Sequence, residues 1–306
     1  MSVIRNVHER TVQAPAAAVG ALLDRLSADD DPIFPVPAWS PMRLDGPLGV
    51  GAAGGHGPVR YSVTAYEPGR RVRFGLTPPS SGFHEMTVEP LGDAHCRVRH
   101  VLEAEMRGAD RILWPSVVQP VHDTMVEEIF DNIERVTTGT AARPVHWSPR
   151  VRLLNRLGWD RPVPAGIPPG AQLLRTAIDW FDEADYRDAY AMDLPPGMPL
   201  DPAAWAGVLR GIPVTDRAER EIVFGQDAGH LDFRASILVD ADARRVTLSS
   251  VVRVHPRWRG RLYWAAVSRV HPFMARLMLR RTHRGLALGA PGAAVRARNG
   301  SPEQVL

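Results

Sequence analysis

Three histidines, His84, His100 and His122, are the residues whose type and placement best suit chemistry. A free imidazole titrates near neutral pH, so it can move a proton or hold a ligand. His84, Met86 and Val88 alternate with Glu85, Thr87 and Glu89. Cys96, Val98, His100, Leu102, Ala104 and Met106 alternate with Arg97, Arg99, Val101, Glu103 and Glu105. A period of two marks half-buried antiparallel strands, and both histidines fall on the apolar side. The turn Leu91-Gly92-Asp93-Ala94 makes the two runs a hairpin that pairs 84 with 102 and 86 with 100. His84 and His100 are then diagonal neighbours within reach of one ligand. His122 lies at the edge of a helical stripe facing the same region. With Tyr61, these groups suit a phenol or carbonyl ligand, or proton transfer on one. The plainer alternative is that each histidine is a hydrogen-bonded core residue or sits at a rim. Phe74, Met86, Leu102, Trp114, Val118 and Met125 share the same apolar faces and complete the candidate ligand-binding set. No close-spaced histidine pair on one helix points to a metal, so neither metal nor cofactor is expected.

In the second half, His230, Asp232 and Arg234 occupy the polar side of a strand, where an Asp–Arg pair can cross-link strands. Tyr263, Trp264 and His271 lie on a late helix and could line a second cavity; core packing suits Tyr263 better, and Trp264 suits a rim. No Gly-x-Ser-x-Gly elbow occurs. Cys96 points inward as a small hydrophobe. Glu103 and Glu105 point outward beside arginines. Gly49–Gly57 is glycine-rich but has no helix after it, and it is expected to be loop.

These residues sit in a chain of 306 residues, 44% apolar and 23% charged, which is globular composition with a prior of two domains. All 37 basic residues are arginine, and there is one cysteine, which excludes an internal disulfide and a multi-cysteine metal site. With heavy Ala, Gly and Pro, the arginine bias suits a GC-rich genome. Residues 1–243 carry 24 Arg against 33 acids, whereas residues 244–306 carry 13 Arg against Glu303 alone. The basic end either pairs with acids of the first part or forms a surface for an anionic membrane or protein through Arg269, Arg276 and Arg280. No nucleic-acid motif accompanies it. Met1–Thr11 lacks the apolar core of a secretory signal, and no run approaches the ~18 apolar residues of a membrane span. A soluble, cytoplasmic protein is expected.

Four segments are expected: a first domain over 1–139, a Pro-rich linker over 140–184, a second domain over 185–284, and a disordered tail over 285–306. In the first, Ile4–Gln13 is extended, Pro15 opens a helix through Leu26, and alternating runs follow. A helix then spans Asp110–Thr138, with Trp114, Val118, Val121, Met125, Ile129 and Ile133 on one stripe, a bend at Pro115 and Pro120, and a stop at Gly139. In the second, Tyr186–Asp193 is extended, Asp201 caps a short helix over Pro202–Leu209, and strands follow at Ile222–Phe224, Leu231–Val239 and Val246–Val254. Gly225–Gly229 and Asp240–Ala243 are turns. The last helix starts near Trp258, carries Tyr263, Val267, Val270, Met274 and Leu277 inward, and is kinked at Pro272. Arg111-Ile112-Leu113-Trp114 echoes Arg261-Leu262-Tyr263-Trp264, as an internal duplication would.

The order of elements in 1–138, with the Val12-Gln13-Ala14-Pro15 strand end, resembles the START-like helix-grip superfamily, which includes polyketide cyclases/dehydratases and lipid-transfer domains. That resemblance implies an α+β fold in which a curved antiparallel sheet wraps a long C-terminal helix around an apolar cavity. Residues from about 186 to 282 resemble the bacterial family of unknown function 2867. The carrying residues are Gly229-His230-Leu231-Asp232-Phe233-Arg234, Val251-Val252-Arg253, Gly260-Arg261-Leu262-Tyr263 and His271-Pro272-Phe273. That family implies a second START-like unit with no established activity. No Gly-x-Gly-x-x-Gly follows a strand, so the nucleotide-binding domain attached to some members is absent from the expectation. The leading expectation is binding of a small hydrophobic ligand, lipid-, polyketide- or isoprenoid-like. A cyclase- or dehydratase-like enzyme using His84, His100 or His122 as acid/base is the alternative. A third is an interaction module docking through the basic last helix.

Overall fold

The computed structural model describes residues 2–256 and 258–298. The chain divides into two compact units, Met1–Gly158 and Trp159–Leu306. Both are α+β with an antiparallel sheet and a helix after its last strand.

Unit 1 contains β1 (Ser2–Val12), α1 (Ala16–Leu23), β2 (Arg43–Leu44), β3 (Ala53–His56), β4 (Val59–Glu67), β5 (Arg71–Leu76), β6 (Gly82–Pro90) and β7 (Cys96–Met106). These are followed by α2 (Asp110–Leu113), a π-helical turn over Trp114–Val118, α3 (Gln119–Thr138) and α4 (Pro149–Gly158). The sheet order is β1-β7-β6-β5-β4-β3-β2, so the first strand pairs with the last. Part of the expected glycine-rich loop is strand β3. Gly54 can pair there because a Cβ would run into the Arg43 carbonyl oxygen. The β6–β7 hairpin has the expected register, His84 opposite Leu102 and Met86 opposite His100. Val12, Val63, Phe74, Met86 and Val98 pack against Met125, Ile129, Phe130 and Ile133 of α3. Gly139 adopts a left-handed conformation with φ 86° and closes α3 through its N–H to the Arg135 carbonyl at 3.0 Å. On the opposite face of the sheet, Arg71 and Arg73 both reach Glu85 at 2.7 Å.

The inward face of β1 is polar. Asn6, His8 and Arg10 face Asp123, Glu127, Asp131 and Glu134 of α3. Two strand residues advance about 6.8 Å and four helix residues about 6 Å, so the 6/8/10 and 123/127/131 ladders stay in step.

Unit 2 contains β8 (Val163–Ala165), α5 (Gln172–Thr176), β9 (Tyr186–Asp193) and a 3₁₀ helix over Pro202–Leu209. Then come β10 (Val214–Arg217), β11 (Glu221–Asp227), β12 (Leu231–Asp240), β13 (Arg245–Val254) and α6 (Trp258–Arg298). The sheet order is β10-β11-β12-β13-β9-β8, again with the first long strand, β9, beside the last. Asp201 caps the 3₁₀ helix by accepting from the Ala203 N–H at 2.8 Å. β11 runs two residues beyond Gly225, so the turn after it is shorter than expected.

Three expectations for this half change. The Pro-rich segment 140–184 is divided between the units: α4 belongs to the first, and β8 and α5 belong to the second. Leu174, Ile178, Trp180 and Phe181 cover the second face of the unit 2 sheet against Val223 and Val251. Ser236, Thr247 and Ser249 are therefore buried on the polar face of the sheet. The inward stripe of α6 is Trp264, His271, Ala275, Leu279, His283 and Ala287, one position away from the expected one. Tyr263 is 49% exposed, and Val270 and Met274 are also exposed, so Tyr263 is not a core residue. Small Ala275 and Ala287 at the contact allow close approach and set that rotation. α6 also continues beyond Gly285, where a disordered tail was expected, because Leu286 and Ala287 still pack on the core. The rest of that tail, 299–306, lies outside the described residues.

His283 ties α6 to the start of unit 2 and to the end of β9. Its Nδ1 accepts from the Trp159 indole N–H at 3.2 Å, and its Nε2 donates to the Asp193 carbonyl at 2.9 Å. This arrangement fits only the neutral ring, because a proton on Nδ1 would face another N–H. Burial lowers its pKa below 6.5 despite the Asp193 hydrogen bond. The unfolded chain therefore binds more protons, so this contribution is complete above pH 6.5 and is lost as pH falls below it. Unit 2 is expected to melt earlier as pH falls from 7 to 5, with a shallower slope in His283→Gln. Equal slopes by differential scanning fluorimetry would refute this.

Candidate functional site

Three elements of unit 1 bring their histidines to one place. β6 supplies His84, β7 supplies His100 and α3 supplies His122. The ring centroids lie 5.4 Å (84–100), 5.4 Å (84–122) and 5.1 Å (100–122) apart. His84 Nδ1 is 3.4 Å from His100 Nε2. The diagonal placement read from the hairpin is thus realised. His122 joins because the helix after β7 returns across the sheet.

Tyr61, on β4, stands 6.5 Å from His84 ring to ring and 4.9 Å from Phe74. Phe74, Met86, Leu102 and Met125 are buried with it. Trp114 is half-buried and 5.8 Å from His122. Val118 is 44% exposed and does not line the site. The π turn adds a residue to the helix there, which rotates preceding side chains by about 100°.

Two histidines missed in the sequence complete the cluster. His56, on β3, is 6.1 Å from Tyr61, and His8, on β1, is 6.1 Å from His122. His8 pairs with His100 across the β1–β7 ladder. Its Nδ1 lies 2.8 Å from Glu127 and its Nε2 3.1 Å from Asp123. The usable signal was the Asn6/His8/Arg10 alternation matched by acids four residues apart on the helix. His56 had no comparable signal, because its strand is only four residues long and glycine-rich.

The electrostatics separate the histidines into two kinds. Burial pushes His84 and His100 well below 6.5, and the neighbouring His122 adds to the shift. Burial also lowers His122 against the opposing pull of Asp123, and it lowers His56 to about 4. These rings are neutral at pH 7. Burial acts in the same sense on His8, but its hydrogen bonds to Asp123 and Glu127 outweigh it and raise the pKa to about 9. His8 is therefore an imidazolium between carboxylates. Burial raises the Tyr61 phenol, which stays protonated. Tyr61 Oη, His100 Nδ1 and His122 Nε2 are buried without a hydrogen-bond partner.

The second-unit candidates do not form one site. His271 Nε2 lies 3.4 Å from Asp188, whose other oxygen accepts from Tyr186 at 2.9 Å. Trp264 packs on Tyr186 at 5.0 Å. His230 stacks edge-on against Tyr263 at 4.7 Å. Asp232 and Arg234 cross-link strands as expected: Asp232 takes Arg253 at 2.8 Å and Arg234 takes Asp227 at 2.6 Å. Of the basic helix residues, Arg276 lies over the Tyr190 ring and Arg280 donates to the Trp159 carbonyl, so both are engaged within the unit. Arg269 is exposed and donates to the Ala265 carbonyl. Among the described residues, no helix is long and apolar enough to cross a membrane.

A family of proteins of unknown function (DUF2867) matches residues 121–278, and the chain belongs to that family. The match starts within α3 of unit 1, well before the 186 expected from short motifs. No curated protein matches the chain. Among solved structures, a norcoclaurine synthase point mutant from Thalictrum flavum with a transition-state analogue is similar at 15% identity. It covers 44% of this chain and 96% of that one, with a TM-score of 0.35. The same plant enzyme with dopamine and hydroxybenzaldehyde is similar at 14% identity, covering 44% and 86%, with a TM-score of 0.36. A Thermobifida fusca protein is similar at 20% identity, covering 48% and 100%, with a TM-score of 0.36.

Proposed function

We propose that unit 1 binds a small, largely apolar molecule through one hydrogen-bonding group seated against the histidine cluster. The supporting observation is the set of buried, unpartnered atoms Tyr61 Oη, His100 Nδ1 and His122 Nε2 on a face otherwise made of Phe74, Met86, Leu102 and Met125. Each unpartnered buried polar atom costs about 1–3 kcal/mol. A phenol or carbonyl that satisfies one or two recovers that, and its apolar body adds ~25 cal/mol for each Å² removed from water. A lipid-, polyketide- or isoprenoid-like skeleton carrying one such oxygen has this chemistry. A second reading keeps the same site and adds proton transfer, since several neutral imidazoles converge where a substrate oxygen would sit.

Native mass spectrometry of the chain purified from its own host, followed by denaturing extraction, tests this. A retained apolar molecule is expected, and Tyr61→Phe with His100→Phe should lose it. Chain of unshifted mass, with no phenol raising the melting temperature more than its methyl ether, would refute it. Conversion of the retained molecule by wild type but not by His100→Ala would establish the second reading.

A further inference from the structure

We propose that His84, His100 and His122 form a three-histidine site for a divalent transition metal of the zinc class. One ring nitrogen from each lies within 4.8 Å of the others. Tetrahedral zinc with Zn–N bonds of about 2.0–2.1 Å separates its ligand nitrogens by about 3.3 Å. The 3.4 Å between His84 Nδ1 and His100 Nε2 already matches that edge. His122 needs only a side-chain adjustment to close the triangle. Its Nδ1 faces Asp123 Oδ1 at 3.4 Å, and its Nε2 is buried without a partner. A proton on Nδ1 leaves the Nε2 lone pair free for the metal, the carboxylate–histidine–metal pattern that fixes tautomer and orientation. Asp123 is itself held by Asn6 at 3.0 Å and His8 at 3.1 Å.

The competing triad, His8, His122 and Asp123, has suitable spacing as well. Both His8 nitrogens are committed to carboxylates, so that ring has no lone pair to give. The preferred triad has no carboxylate or thiolate ligand, and three imidazoles suit zinc, copper, nickel or cobalt over magnesium or calcium. Three protein ligands leave a fourth position open. Sequence spacing hid this arrangement, since the ligands come from two strands and a helix rather than from one helical turn.

The inference goes beyond the small-molecule reading and stands without it, because metal uptake is measured with no organic ligand present. The test is titration of untagged, chelator-treated full-length chain with Co²⁺, read by visible absorption, and competition with Zn²⁺. One equivalent is expected to give the absorption of a tetrahedral site, and zinc should displace it. His84→Phe and His122→Gln should each abolish the signal with far-ultraviolet circular dichroism unchanged. Asp123→Asn should weaken binding by about 10–100-fold with the spectrum retained, as for a residue that acts through a ligand. His95→Gln, an exposed histidine outside the cluster, should leave binding unchanged. Absence of a tetrahedral spectrum, or a spectrum that survives both His84→Phe and His122→Gln, would overturn the proposal. Should either variant unfold, histidine proton shifts on adding Zn²⁺ to wild type decide instead, with unmoved cluster resonances counting against the site. A chain that retains an apolar molecule but takes up no metal would refute this site alone.

Discussion

Replacing Arg10 by Met is expected to destabilise unit 1 by about 3–5 kcal/mol, the cost of stranding buried charges. Arg10 donates to Asp131 at 2.6 Å, Glu127 at 2.6 Å and Glu134 at 3.2 Å. The Asp131 side chain is only 1% exposed, so no solvent replaces the guanidinium. Asp131 and Glu134 also accept the Val145 and Ala142 N–H groups, so the chain leaving α3 is anchored to the same carboxylates. The pairs hold Glu127 ionised, its carboxyl pulled below its usual range by His8 despite burial and by Arg10. For a unit of this size, the loss corresponds to a fall of roughly 6–20 °C in melting temperature. Hydrogen exchange should accelerate at β1 and β7 amides. Asp131→Asn added to Arg10→Met should recover part of the loss, since one stranded charge is gone. A shift under 1 kcal/mol in a urea titration would show the network to be solvated rather than buried.

Trp205→Ala is expected to cost unit 2 about 3–5 kcal/mol, the range for truncating a buried aromatic. Trp205 is 0% exposed and packs among Ile222, Phe224, Ile237, Leu248 and Leu279. Its N–H donates to the Pro199 carbonyl at 3.1 Å, and its ring lies 5.7 Å from His283. The substitution removes packing, strands a carbonyl and loosens the histidine that holds Trp159 and Asp193. The urea midpoint of unit 2 should fall, and exchange should accelerate at β12 and β13. Trp205→Phe should retain most of the packing and lose less. A midpoint unchanged within error in Trp205→Ala would mean that the core collapses onto the gap.

The candidate site was partly legible. Strand parity placed His84 and His100 inward, and the short turn at Gly92-Asp93 set their register. The π turn was not legible: its extra residue leaves no mark in the periodicity, and so Val118 was placed on the wrong side. The partner of β1 was also missed. Asn6, His8 and Arg10 carry no apolar periodicity, although acids at matching spacing stand on α3. Asp232 and Arg234 were legible as strand cross-links, but their partners, Arg253 and Asp227 on the neighbouring strands, were not.

By itself the sequence determined whatever depends on neighbours along the chain. The β6–β7 register, the caps at Asp201 and Gly139 and the antiparallel α+β class all follow from a period of two, a turn length or a residue able to adopt positive φ. Tertiary structure alone decided which side of a helix meets the sheet. α6 turns Trp264, His271 and Ala275 inward rather than Tyr263, Val270 and Met274. A helix with apolar residues on several faces is not oriented by composition; the depth to which Ala275 and Leu279 can approach the strands orients it. The meeting of His84, His100 and His122 was decided in the same way. The hairpin brought two of them together, but the third arrives on α3, which is seated by its apolar stripe and by the Arg10–Asp131 and His8–Asp123 contacts to a strand more than a hundred residues away in sequence.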